Sequence, residues 1–415
     1  MRVCIIGAGV VGVTSAYLLA RAGHEIVLLD ECGEPAAQSS HANGGQLSYS
    51  YVAPLAGPGV LADVPGWLLR RDSPLRLRYR WDPRLWRWMA GFLAACRASV
   101  ARVSTAQMLT LSYLSRDTLQ AILADQPLDF GLAHSGKLIV YRDPAKLRKA
   151  AALAAYQAEH GSEQRILSCD EAIAVEPALA GMGERIAGAV HTASEDTGDC
   201  RRFTQELFRR VQAMAGVDAR LDTRVEALVR ESGRIVAART AGGEVRADAF
   251  VVAAGLGSRA LLERLGERLP LYGLKGYSLS VPIEDNHFVP RISVTDYERR
   301  IVYARLDGVL RIAAMVDIGS EDTHLDTQRL DTLRRQVAEA FPRLDLSRAQ
   351  AWAGLRPATP TGKPLIGRSR AAANLWLNAG HGALGFTLAC GSAALLVALM
   401  EGRNPPIDPK PFAPE

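Results

Sequence analysis

Gly7, Gly9 and Gly12 stand in G-x-G-x-x-G spacing. Such residues act through the backbone: the first makes a tight turn, the second lets the chain approach a pyrophosphate, and the third lets a helix pack on a strand. The N–H groups of Val10 and Val11 would open that helix with its positive end toward phosphate. Asp30 closes the next apolar run, where a carboxylate can accept hydrogen bonds from a ribose diol. Glu31 is adjacent and could take that role, although Asp30 fits the strand end better. Together these residues point to a bound dinucleotide.

The elements that must position them are legible around the glycines. A buried strand is expected over residues 3–6, a helix over 11–22 ended by Gly23, and a second strand over 26–29, the start of a βαβ unit. Three further segments favour FAD over NAD. Ser39-Ser40-His41-Ala42-Asn43-Gly44-Gly45-Gln46 combines small polar residues with paired glycines that allow close approach to a flat ring. The apolar strand expected at 249–253 ends in Ala253-Ala254-Gly255. Near the C-terminus, Leu375 to Thr387 reads as strand, glycine turn and helix start, with Gly380, His381, Gly382, Leu384, Gly385, Phe386 and Thr387 at the turn. A helix N-terminus there suits the negative charge on N1/C2=O of a reduced flavin. Val225 is taken with these as a cofactor contact. Further helices are expected at about 104–123, 144–160 and 328–341, with β-rich stretches at 220–253 and 275–316.

The chain has 415 residues, 48% hydrophobic and 22% charged, which suits a globular protein of two domains. No apolar stretch of about 18 residues suggests a membrane span. A strand starting at residue 2 argues against a cleavable leader and for a cytoplasmic protein. The six cysteines lie far apart, with no C-x-x-C pair, so free thiols and no metal site are expected. The net charge of +5 is modest, and only six of the 49 basic residues are lysines. That balance permits anionic substrates or lipids and does not call for nucleic acid.

The ordered segments resemble the D-amino acid dehydrogenases, within the D-amino acid oxidase-like FAD enzymes. The resemblance runs through residues 1–30, Ala42-Asn43-Gly44-Gly45-Gln46, Tyr51-Val52-Ala53-Pro54, Glu195 to Cys200, Leu274 to Leu279, Trp352 to Pro357, Gly362 to Gly367 and Asn378 to Thr387. It implies an α/β fold: a Rossmann-like FAD domain of the two-dinucleotide type, plus an α+β substrate domain with a large, mainly antiparallel sheet. The FAD domain is expected at 1–50, 145–257 and 353–403, the substrate domain at 51–144 and 258–352, and a tail at 404–415. It also implies oxidative deamination of a D-amino acid to a 2-oxo acid and ammonia, with electrons passed to a quinone. Arg356, in Gly354-Leu355-Arg356-Pro357, stands where the family places its carboxylate-binding arginine, a role that a planar guanidinium suits. Tyr51, Tyr277 and Tyr303 are the tyrosines that could complete the site. His41 lies where some relatives that oxidise N-methyl glycines attach flavin covalently, which close dehydrogenase relatives do not require. His381 could bind flavin or serve the turn. An oxidase of glycine- or sarcosine-type or cyclic imino acids, and a non-catalytic flavin subunit, remain as alternatives.

Four of the six tryptophans (Trp67, Trp81, Trp86, Trp88) share one stretch with Arg70, Arg71, Arg76, Arg78, Arg80, Arg84 and Arg87. Basic and aromatic residues with leucines between them suit an interfacial membrane segment. An arginine-decorated helical subdomain would give the same pattern. The resemblance favours peripheral attachment to the inner membrane.

Overall fold

Val3, Cys4 and Ile5 of the first strand, Arg2–Ile6, are fully buried, as a strand covered on both faces requires. In the computed structural model this strand lies inside a six-stranded sheet. Its order is Leu365–Arg368, Leu375–Ala379, Ala249–Val252, Arg2–Ile6, Glu25–Leu29 and Val217–Arg220. All neighbours run parallel except the Leu365–Arg368 edge. The structure describes the chain apart from residues 58, 61–63, 65, 67–71, 183–185 and 415. Trp67, Arg70 and Arg71, part of the expected membrane segment, lie outside the described residues.

The parallel strands end at Ile6, Leu29, Val252 and Ala379, so Gly7, Asp30, Ala253 and Gly380 emerge along one edge. Helix Val10–Arg21 follows the first strand and packs against helices Cys200–Gln212 and Gly385–Met400. Gly7 has φ +112°, and a Cβ on Gly12 would overlap the Gly7 carbonyl oxygen. Gly12 therefore serves the helix–strand contact. The run Gly382–Met400 is long and apolar enough to cross a membrane, but most of it is buried inside the protein.

The second sheet is larger. Its strand order is Gln350–Ala358, Tyr272–Pro282, Val309–Ile318, Ile301–Leu306, Ser293–Asp296, Lys137–Tyr141, Gly188–Thr192 and Arg165–Leu167, with Leu75–Leu77 pairing beside Val309–Ile318. Most pairs are antiparallel. The fold is thus α/β with the expected large, mainly antiparallel second sheet. Pairing divides the chain more finely than the expected segments. Arg165–Leu167 and Gly188–Thr192 extend the larger sheet, while helix Ala98–Asp125 packs on Gly385–Met400 and shares the core of the smaller one. Phe412, in the expected tail, is buried in that same core. An amphipathic pattern shows that a helix has an apolar face and not which sheet it covers.

Candidate active site

The strand ends and the larger sheet enclose one cavity of about 1520 Å³. This exceeds the roughly 300–1,000 Å³ of an ordinary ligand pocket and leaves room for an extended dinucleotide with a small substrate. At one end the wall is mostly backbone. Gly7, Gly9, Val10 and Val11 line it, and the Val10 N–H donates to Ser40 Oγ at 3.1 Å. Asp30 Oδ2 accepts from the Ala8 N–H at 2.5 Å and Oδ1 from the Cys32 N–H at 2.8 Å, so its carboxylate also braces the turn. Glu31 and Val225 lie on the same wall.

The wall continues through Ser39, Ser40, Ala42, Asn43, Gly44, Gly45 and Gln46, through Ala253, Ala254 and Gly255, and through Gly380, His381, Gly382, Leu384, Gly385, Phe386 and Thr387. The larger sheet holds the 42–46 loop in place. Ser278 Oγ donates to the Ala42 carbonyl at 2.8 Å and Arg311 Nη1 to the Asn43 carbonyl at 2.8 Å. Burial pushes the His381 ring down to about 3; it is neutral and bonds Ser392 Oγ through Nε2 at 2.9 Å. Asn378 also lines the cavity, and its buried Oδ1 has no partner among the described residues.

Gly12 lies behind the wall, at the helix–strand contact expected of the third glycine. One expected cofactor residue is corrected. His41 is off the wall and stacks on Trp352 with ring centroids 6.1 Å apart; the chain turns at 38–41 and carries the ring away.

Arg356 lies at the other end. Strand Gln350–Ala358 pairs with Tyr272–Pro282 so that Gly276 sits diagonally beside it. The guanidinium lies across Gly276, where any Cβ would collide with it. Its Nη1 donates to the Met315 carbonyl at 3.0 Å, and no carboxylate pairs with it among the described residues. The side chain is half-buried, and desolvation lowers its pKa to about 10, with Asp317 acting in the opposite sense. It remains a guanidinium cation facing the cavity, with donors that no described residue takes up. Met315 has φ +64° at a register shift in the pairing of Val309–Ile318 with Tyr272–Pro282. The bulge aims its carbonyl at Arg356, a local strain of the kind found at functional sites.

Behind the bulge, fully buried Asp317 pairs with Arg76 and Arg329 and accepts from the Tyr277 hydroxyl at 3.0 Å. Tyr277 and Tyr51 line the cavity. Burial raises both their pKa values; in Tyr51 a hydrogen bond from Arg300 opposes the shift. Tyr303 is corrected: it is absent from the cavity wall and packs edge-on against Phe341 in the core beyond the sheet. Strand side chains alternate between faces, and the cavity side of this strand belongs to Val302.

Several wall residues were not singled out from the sequence. Lys137 begins an otherwise apolar strand and is itself buried; a lysine in such a run, in a chain with only six, was the available signal. Tyr141, Tyr297 and Arg300 form another part of the wall, with the Arg300 guanidinium 4.1 Å from the Tyr297 ring centroid. No local signal marks these, since a turn and a distant strand bring them together.

Comparison with known proteins places this geometry. The sequence matches the family described as "DAO: FAD dependent oxidoreductase" over residues 2–399. It is 49% identical to "D-amino acid dehydrogenase 2" of Ralstonia nicotianae, covering 100% of this chain and 99% of that protein. It is 48% identical to "D-amino acid dehydrogenase 2" of Pseudomonas aeruginosa, covering 98% and 96%. Among solved structures, glycine oxidase from Geobacillus kaustophilus shares the fold with a TM-score of 0.78 at 21% identity, covering 100% of this chain and 98% of that one. The backbone-lined cavity accommodates the cofactor that the family description names, and the chain belongs to the FAD dependent oxidoreductase family.

Proposed function

We propose that this protein oxidises D-amino acids to 2-oxo acids and ammonia. The observation that carries the reading is Arg356, a half-buried cation with no carboxylate partner among the described residues, facing the cavity that accommodates FAD. Its planar donors suit a substrate carboxylate. The relatives' names supply the D configuration. FAD, when bound, accepts the hydride from Cα. The protein's part is orientation. Arg356 holds the carboxylate, the Met315 carbonyl and Gly276 fix the plane of Arg356, and Tyr51 and Tyr277 border the remaining space. A neutral amine needs no strong protein base, and water hydrolyses the resulting imine. Gly7 to Val11, the 39–46 loop and the Gly380 to Thr387 turn hold the cofactor in this reading.

The electron acceptor is proposed to be a quinone, reached from the cytoplasmic face of the inner membrane. Tyr79 and Trp81 are 64% and 86% exposed, and Tyr79 lies within 5.8 Å of Trp86 and 5.5 Å of Trp81, centroid to centroid. This aromatic cluster suits a lipid interface. The neighbouring arginines are partly committed to the protein: Arg76 and Arg78 pair with Asp326, and Arg80 with Glu321. Y79S/W81S/W86S protein should leave the membrane fraction while keeping its soluble activity; unchanged sedimentation would refute the attachment.

Anaerobic mixing of the yellow holoprotein with D- and L-amino acids tests the main reading. Bleaching of the flavin by D-amino acids alone is expected. A flavin that no D-amino acid reduces would overturn it.

A further inference from the structure

Lys137 is a buried lysine with no use in the chemistry above. It is 1% exposed and lines the cavity. Its Nζ donates to Gln46 Oε1 at 2.9 Å and Ser48 Oγ at 2.8 Å, and sits 4.3 Å from the centroid of the Tyr51 ring. The Ser48 N–H in turn donates to Thr387 Oγ1 at 3.1 Å, in the first turn of helix Gly385–Met400. The ammonium group and the positive end of that helix therefore address the same corner of the cavity. Two positive sources in a low-dielectric interior repel.

The nearby carboxylate, Glu195, does not cancel them by direct contact. Its Oε1 accepts from the Ser50 N–H at 2.6 Å, and it is linked to Lys137 only through Ser48, whose hydroxyl also accepts from Lys137 Nζ. Burial lowers the Lys137 pKa, with Glu195 pulling the other way. Such a corner is built for an anion. The substrate carboxylate is a poor candidate. Arg356 and Lys137 sit on the first and sixth strands of the larger sheet, five spacings or about 24 Å apart along it.

We propose that Lys137 faces the pyrimidine edge of the flavin and, with the N-terminus of helix Gly385–Met400, stabilises the negative charge that reduction puts there. The hydride from substrate Cα delivers two electrons and one proton to N5, and the substrate leaves as its iminium ion. With no second proton taken up, the ring carries one extra negative charge, held at N1/C2=O. A quinone would later take up the two electrons together with the N5 proton and one proton from water, leaving the quinol and the oxidised flavin. The inference rests on the bound FAD and not on which amino acid is oxidised.

The test uses purified holoprotein and no amino acid. Sulfite adds to oxidised flavin at N5 and leaves the same negative charge on the pyrimidine edge. Sulfite affinity and the dithionite-titrated midpoint potential would be measured for wild type, K137M, K137Q and K137R. K137M and K137Q should bind sulfite about tenfold more weakly or worse, as expected of a lost charged contact, and should show a lower midpoint potential. K137R should keep both near wild type. Wild-type sulfite affinity and potential in K137M or K137Q would overturn the proposal. Loss of FAD from K137M and K137Q but not from K137R would support a cation holding the ring. Loss from all three, K137R included, would assign the residue to packing and overturn it.

Discussion

The two ends of the cavity are made differently. At the Gly7 end the wall is largely backbone, and the hydrogen bonds that shape it come from nearby turns, such as Val10 to Ser40 and Ala8 to Asp30. At the Arg356 end the wall is made of side chains, each held by a group brought in from another element: Arg356 by the Met315 carbonyl, Tyr277 by Asp317, and Asp317 by Arg76 and Arg329. A backbone site tolerates no added atom, whereas a side-chain site depends on charge and aim. Substitutions at the two ends should therefore fail in different ways.

The largest effect is expected at the backbone end. Gly12→Val places branched atoms against the Gly7 carbonyl and should abolish FAD binding, measured as flavin absorbance per protein. A yellow, folded G12V protein would break the contrast. At the side-chain end, Arg356→Met should keep FAD but lower kcat/KM for flavin reduction by about 30- to 5,000-fold, from the roughly 2–5 kcal/mol of a buried charge contact. A change below threefold would remove Arg356 from substrate binding. Asp317→Asn leaves Arg76 and Arg329 without their buried counter-charge. It should destabilise the protein by about 3–5 kcal/mol, read by urea unfolding, with FAD still bound at low temperature.

A smaller effect comes from His381, whose pKa is pushed below its usual 6.5 to about 3. The unfolded chain then binds more protons between those values, so this residue costs stability as pH falls from about 6.5 toward 3. His381→Gln should flatten the acid limb of the melting temperature against pH, and an unchanged slope would count against the shift. The smallest effect belongs to Tyr303→Phe. Its buried hydroxyl has no partner among the described residues, so flavin reduction should be unaltered and stability should change by less than about 1 kcal/mol.

The same contrast explains what was legible. Strand 2–6, helix 10–21 and the turn at 380–385 follow from apolar runs broken by glycine, and both the pattern and its consequence lie within a few residues. Arg356 stands out only through its setting in Gly354-Leu355-Arg356-Pro357, where the family resemblance places a carboxylate-binding arginine. Tyr303 and Val302 differ by one position in a strand, and only the sheet decides which of them faces the cavity. Lys137 and Arg300 carried almost no local mark.

By itself the sequence determined the class of protein: a glycine fingerprint, its strand and helix, and a carboxylate at the end of the second strand. Such features rest on short-range sterics and hydrogen bonding that each segment encodes alone. Only the tertiary structure decided which side chains share the cavity. It set Arg356 over Gly276 beneath a bulged carbonyl, brought Lys137 to the N-terminus of a helix some 250 residues away, and turned Tyr303 into the core. Those outcomes depend on strand register and on which sheet covers which helix. Both are settled by long-range burial and pairing across the whole chain.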